Sequence, residues 1–188
     1  MKWMIGLLGV ALLAGLQACA QTLKSMASKS ASLGEPVGLL IQGYNYTDDY
    51  INSFTVNGQG GGNLFVSSPS SGGSGSVCCV NYTPGTRLPM KVKVRWVAGY
   101  CTYEETSPYG RVSTGLRDIW REAVALIDDR SDGRPYAIEI HIYPDHHVEG
   151  SVTRGHSRPR LILPRTESYD RPGVSKVYPK CSDVLHQN

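Results

Sequence analysis

The sequence predicts an α+β domain: a mainly antiparallel β-sheet with one long amphipathic helix packed on it. Two observations point to the sheet, namely strict apolar/polar alternation over 90–97 and 136–143 and turn dipeptides between such runs. A third points to the helix, because the apolar residues of 114–129 recur at helical spacing.

Taken in order, 37–46 is a β-prone run, 53–56 a short one, and Asn57-Gly58 a strong hairpin-turn signal. Glycine and serine dominate 57–76, and 67–76 is expected to be a mobile loop. Gly60-Gly61-Gly62 lacks the lysine of a phosphate-binding loop and opens no helix. A strand over 77–82 carries Cys78 and Cys79, and Pro84-Gly85 turns the chain. Met90, Val92, Val94 and Trp96 then share one face, with Lys91, Lys93 and Arg95 on the other, the mark of a half-buried strand. In the expected helix Leu116, Ile119, Trp120, Ala123, Val124 and Ile127 form one stripe, Ser113 or Thr114 caps the start, and Asp132-Gly133 ends it. Residues 136–143 alternate again, Pro144-Asp145 begins a turn, and 148–153 can return as a hairpin partner. After Arg154 the Pro- and Arg-rich chain is expected to wrap the surface until Cys181 pins it.

The amino terminus concerns location. Lys2 is followed by an apolar run over 5–16 and then by Leu16-Gln17-Ala18-Cys19, which resembles a bacterial lipoprotein signal peptide. The run is shorter than the roughly 20 residues of a membrane-spanning helix. The resemblance implies cleavage before Cys19 and acylation of that residue, with an ordinary secretory signal as the alternative. Residues 1–18 are thus a signal peptide, 19–35 a lipidated cysteine with a flexible tether of roughly 20 Å mean reach, and 36–188 one domain. Removing 18 of 188 residues leaves 170, enough for a single core. The resemblance to bacterial lipoproteins further implies the periplasm and the inner leaflet of the outer membrane, because Ala20-Gln21 has no aspartate after the cysteine.

Formal charge is +3, with basic residues concentrated after 150, among them Arg154, Arg158, Arg160, Arg165, Arg171, Lys176 and Lys180. Such a segment can meet nucleic acid, anionic lipid or an acidic protein, or simply be solvated; an envelope location argues against nucleic acid. Apart from Cys19, the cysteines are Cys78, Cys79, Cys101 and Cys181. An even number in an oxidising compartment implies two disulfides. Neighbours on a strand face opposite ways, so Cys78 and Cys79 are expected to pair separately with Cys101 and Cys181.

His141, Asp145, His146 and His147 are the one cluster with ligand chemistry, yet consecutive polar residues after a proline also make an ordinary turn, and no metal or other cofactor is expected. His141 and Glu139 are expected on the exposed face of their strand. There is no G-x-S-x-G, and Glu104 and Glu105 diverge if extended, so nothing requires an enzyme. Tyrosine, with eleven residues against two phenylalanines, suits protein contact. Tyr44, Tyr46, Tyr50, Tyr103 and Tyr109, with Asp145, His146, His147 and the 67–76 loop, are the candidate partner contacts.

Gly43-Tyr44-Asn45-Tyr46-Thr47, Phe54-Thr55-Val56-Asn57-Gly58, Cys78-Cys79-Val80, the 91–96 strand and Ile140-His141-Ile142-Tyr143-Pro144-Asp145 together resemble the domain-of-unknown-function 3304 family of small Gram-negative lipoproteins. The likeness covers about 37–153. Members are often found beside antibacterial type VI secretion lipase effectors, so the resemblance implies an immunity protein that binds and neutralises a phospholipase. The alternative is a structural or assembly lipoprotein of the envelope with no toxin partner.

Overall fold

A hairpin of unusual length organises the molecule. Strand β5 (Met90–Thr106) and strand β6 (Val112–Arg130) pair antiparallel from Met90↔Ile127 to Thr106↔Val112, with Ala98 as an extra residue in β5. The other strands are β1 (Val37–Asn45), β2 (Ile51–Val56), β3 (Gln59–Leu64), β4 (Val77–Tyr82), β7 (Ala137–Ile142) and β8 (Val148–Thr153). They form a single sheet in the order β3-β2-β5-β6-β8-β7-β1-β4. The computed structural model describes residues 33–73, 75–163 and 177–184. The expected signal peptide, Cys19 and most of the tether lie outside these residues, as do Arg165, Arg171 and Lys176.

The sheet curls until its two ends meet, making a nearly closed barrel. Gly62 of β3 faces Val77 of β4, and beyond β3 the chain crosses onto β1, where Ser67 N–H donates to the Asn45 carbonyl at 2.7 Å. Gly43 is required at this closure, since any β-carbon there would collide with Leu64 and Phe54. Leu39, Ile41, Phe54, Leu64, Val94, Trp96, Ile127, Ile138, Ile140 and Ile142 fill the interior, each at most 1% exposed. From Leu33 onward the chain is one compact unit with this core of its own.

The expected long helix is instead β6, and the fold is all-β rather than α+β. The apolar stripe was a superposition of two series of period four. Every fourth residue shares a face in a strand as well as nearly so in a helix. Ile119, Ala123 and Ile127 turn inward, whereas Leu116, Trp120 and Val124 turn out. The single described helix, α1 (Cys181–Val184), has four residues.

Two pairings are parallel, β1 with β7 and β6 with β8, which local alternation does not specify. Other expectations hold. Asn57 and Gly58 both have positive φ, 50° and 82°, as a two-residue hairpin turn demands. Lys91, Lys93 and Arg95 face outward while Val92, Val94 and Trp96 are buried, and β8 returns against β7 with Ile142 opposite Val148.

The disulfides differ from the expected pairing. Cys78 bonds Cys79, and Cys101 bonds Cys181 across 80 residues. The argument from opposite strand faces assumed a trans peptide; the one between Cys78 and Cys79 is cis and brings their Cα atoms to 3.1 Å. The 67–76 segment is not a free loop. Ser67 Oγ accepts from Asn45 N–H at 2.9 Å and donates to the Gly72 carbonyl at 2.6 Å, and Phe65 N–H donates to the Gly73 carbonyl.

Candidate functional site

Three places on this barrel concentrate polar or exposed chemistry. The first is the outer face of β1, β7 and β8, where residues 154–163 lie as a strap. Because β1 and β7 run parallel with Tyr44 opposite His141, the Tyr44, Tyr46, Glu139 and His141 side chains gather beneath it. Tyr44 Oη donates to the Ser157 carbonyl at 2.7 Å, with Glu139 Oε1 a second contact at 3.2 Å, and Ser157 N–H donates to Glu139 Oε1 at 2.6 Å. Arg160 N–H donates to Tyr46 Oη at 2.7 Å, leaving the Tyr46 proton for His141 Nδ1 at 3.0 Å. That assigns the imidazole proton to Nε2, which is buried without a hydrogen-bond partner among the described residues, 3.9 Å from Glu139 Oε2. The Tyr44 and His141 rings stack at 4.3 Å. The Arg160 guanidinium reaches Glu149 Oε2 at 2.7 Å and Ser151 Oγ at 3.2 Å.

Burial dominates the electrostatics of this layer. It drives the His141 pKa down to about 3, aided by the positive charges of Arg160 and Arg130, so the ring is neutral at pH 7. Burial and then the Glu139 carboxylate hold the Tyr44 phenol well above its ordinary value. These groups fasten the strap to the barrel. Tyr44, Tyr46, Glu139 and His141 are each at most 1% exposed, which corrects the expectation that the two tyrosines meet a partner and that Glu139 and His141 face solvent.

The second place is the barrel mouth, where the β1–β2 connection, the Ala98 bulge of β5 and the β7–β8 turn converge on a pocket of about 210 Å³. His146, held at φ 67°, turns its ring toward Trp96, with centroids 6.4 Å apart. His147 instead stacks on Tyr143 at 4.1 Å and bonds the Asp145 carboxylate, holding that carboxyl below its usual value. Of the three ligand-type residues of the turn, Asp145 and His147 thus pair with each other while His146 turns away to Trp96, and His141 lies beneath the strap. Among the described residues no group of three such side chains is placed to hold a metal ion.

The third place is the outer face of β6. Val112, Leu116, Trp120, Val124 and Leu126 are all exposed, Val124 by 57% and Leu126 by 55%. All lie an even number of residues apart and so share one face of the strand, over about 45 Å at the rise of an extended chain, with Thr114, Asp118 and Glu122 between them. Cations flank the row on β5, with Lys91 opposite Leu126 and Lys93 opposite Val124. The Arg95 guanidinium lies 4.4 Å over the Trp120 ring, and Lys93 pairs with Glu122 at 3.0 Å.

Residues 44–149 match the family described as "Protein of unknown function (DUF3304)". The chain belongs to this family. No curated protein and no solved structure matches it. In the DUF3304 protein, Gly43-Tyr44-Asn45-Tyr46-Thr47 and Ile140-His141-Ile142-Tyr143-Pro144-Asp145, two of the five segments that carried the resemblance, are neighbours in the sheet. They build the buried layer under the strap and continue into the barrel mouth.

The remaining sequence candidates scatter across the DUF3304 protein. Tyr50 packs on Phe65 at 5.0 Å, and Tyr103 receives the Arg117 guanidinium 5.1 Å above its ring. Tyr109, 96% exposed, stands at the tip of the β5–β6 hairpin. Asp145 and His147 are exposed, whereas His146 is half-buried. Sequence reasoning missed the outward row of β6 because it assigned three of those five side chains to a buried helical stripe. The available signal was the Ser107-to-Arg111 turn between two runs of similar length, which marks a hairpin.

Proposed function

We propose that this DUF3304 protein is a periplasmic, lipid-anchored immunity protein that neutralises a type VI secretion phospholipase by covering the face with which that enzyme meets lipid. The observation that carries the reading is the solvent-exposed apolar row of β6 with the Arg95–Trp120 stack at its centre. Five large apolar side chains open to water along one strand face, with Thr114, Asp118 and Glu122 between them, are an unusual exposure for a water-soluble domain, and tryptophan and arginine are the side chains that most often dominate protein contacts. A phospholipase must itself present an apolar surface to acyl chains, so the two faces are chemically matched. The flanking Lys91 favours an acidic group on the partner's rim, Lys93 being paired with Glu122. An anchor at Cys19 supports the same reading, since it would confine the domain to the membrane where the enzyme works and raise its effective concentration there.

The test is inhibition of phospholipid hydrolysis by a type VI secretion phospholipase of the producing cell, using residues 19–188 with Cys19→Ser. Stoichiometric inhibition by the unaltered face is expected. Trp120→Asp should weaken it at least tenfold, or about 1.4 kcal/mol, with the fold intact. A folded domain that neither binds nor inhibits the enzyme defeats the reading. Envelope defects on deletion in cells without a lipase would favour an assembly role instead.

A further inference from the structure

A pocket of about 530 Å³ opens where the carboxyl end of β6, strand β8 and the start of the strap meet, beyond the apolar row. Arg130, Arg154 and Arg160 belong to its wall, and no carboxylate does. All three side chains reach solvent: Arg130 is exposed, Arg154 is 63% exposed and Arg160 25%. Their charges are not equally free. Arg160 is paired with Glu149 at 2.7 Å, whereas Arg154 stands 3.9 Å from Asp132, a loose contact between two side chains mostly in water. Arg130 makes no ion pair among the described residues. Of the carboxylates nearby in the sheet, Glu139 accepts from Ser157 N–H, and Asp128, opposite Ser151, lies outside the lining.

Hydrogen bonds hold this wall in shape. Arg160 Nη2 donates to Ser151 Oγ at 3.2 Å, and Thr153 Oγ1 donates to the Gly155 carbonyl at 2.8 Å, which fixes the turn that carries Arg154. Two guanidinium charges, those of Arg130 and Arg154, therefore face the pocket without a firm counter-ion. The charges of Arg160 and Arg130 also bear on the buried His141 and help lower its pKa, so the positive field extends beneath the strap. An anion is the matching occupant. A carboxylate presents two oxygens and is served by a single guanidinium fork. A phosphate carries up to two negative charges and offers acceptors on several sides, so it can engage Arg130 from β6 and Arg154 from the strap together. The volume, roughly eighteen water molecules' worth, leaves room for the group to which a phosphate is esterified. We propose that this pocket binds a phosphate ester, either a soluble phosphorylated molecule or the headgroup of an anionic phospholipid.

The experiment uses residues 19–188 with Cys19→Ser, which contain the whole compact unit from Leu33 onward. Calorimetric titration with glycerol 3-phosphate, inorganic phosphate and acetate reads soluble ligands. Flotation with phosphatidylglycerol vesicles reads the lipid, with phosphate-free digalactosyldiacylglycerol vesicles as the comparison. Saturable binding to a phosphate probe is expected, at least tenfold tighter than to its phosphate-free comparison and weakened at least fivefold by Arg130→Gln or Arg154→Gln. Both side chains are exposed, so circular dichroism of these variants should be unchanged. Lys91→Gln removes the same charge from the outer face of β5 and should alter binding less than twofold. Binding of the soluble ester without vesicles points to a free phosphorylated molecule, and vesicle binding lost in Arg130→Gln points to a headgroup. Trp120→Asp should leave phosphate binding unchanged, which separates this site from the proposed contact on β6. Absence of saturable binding to every phosphate probe, equal binding of acetate or galactolipid, or an equal loss in Lys91→Gln overturns the proposal.

Discussion

The outer face over β1, β7 and β8 and the outer face of β5 and β6 belong to the same sheet, yet they treat solvent in opposite ways. The first carries ionisable and hydroxyl side chains, Tyr44, Tyr46, Glu139, His141 and Ser151, and is sealed by the strap. The second carries Leu116, Trp120, Val124 and Leu126 and is open. Hydrophobicity alone would predict the reverse. The polar face is covered because the strap supplies it with partners, as Ser157 and the Arg160 backbone do. The outer apolar side chains of β6 have no such cover among the described residues, and that contrast is the physical basis for proposing recognition there.

The largest effect that would break the contrast is expected at the sealed face. Tyr44→Ala removes a fully buried ring and the hydroxyl shared between Glu139 and Ser157, and should cost about 3–5 kcal/mol in chemical denaturation. A loss below about 1 kcal/mol would mean that the strap is not fastened as described.

A smaller effect comes from pH. The folded His141 pKa, about 3, lies below the ordinary value of 6.5, so unfolding takes up a proton between these limits. Its contribution to stability is complete above about pH 6.5 and is lost as pH falls toward 3, with a slope of about 1.4 kcal/mol per pH unit. Glu139 opposes the trend by its proximity, while Arg160 and Arg130 reinforce it. In a denaturation series from pH 7 to 4, His141→Gln should flatten that slope; an unchanged slope would place the proton uptake elsewhere.

The smallest effect sharpens the comparison from the other side. Val124→Ala on the open face should change stability by no more than about 0.5 kcal/mol, because its side chain is largely in water already. A substantially larger loss in thermal or chemical unfolding would show that β6 is covered, and the open-face reading would fail.

Local chemistry was legible in the sequence where one segment determined it. Asn57-Gly58 specified its hairpin through the need for positive φ, and 90–97 specified which of its side chains face water. The 137–142 strand was recognisable, but the fate of its second face was not. Alternation correctly separated Glu139 and His141 from the isoleucines, and only the later arrival of Ser157 and Arg160 decides that both are buried. That segment has no periodicity to announce it. The β6 error has a different cause: Leu116, Ile119, Trp120, Ala123, Val124 and Ile127 satisfy a helical period, and only the tertiary pairing with β5 selects the extended form. The cysteine pairing failed because a cis peptide lies outside any strand-face rule.

The position of β1 has a consequence for how the molecule is made. This strand is the first of the sheet to leave the ribosome, yet it sits between β4 and β7, and its Tyr44 hydroxyl contacts Glu139 from 95 residues further on. Closing so distant a contact carries a large entropic penalty, and barrels assembled this way mature slowly. Until β7 exists, the amino-terminal strand has an unpaired edge open to other chains. The first strand therefore keeps an open edge until residues near 140 are in place.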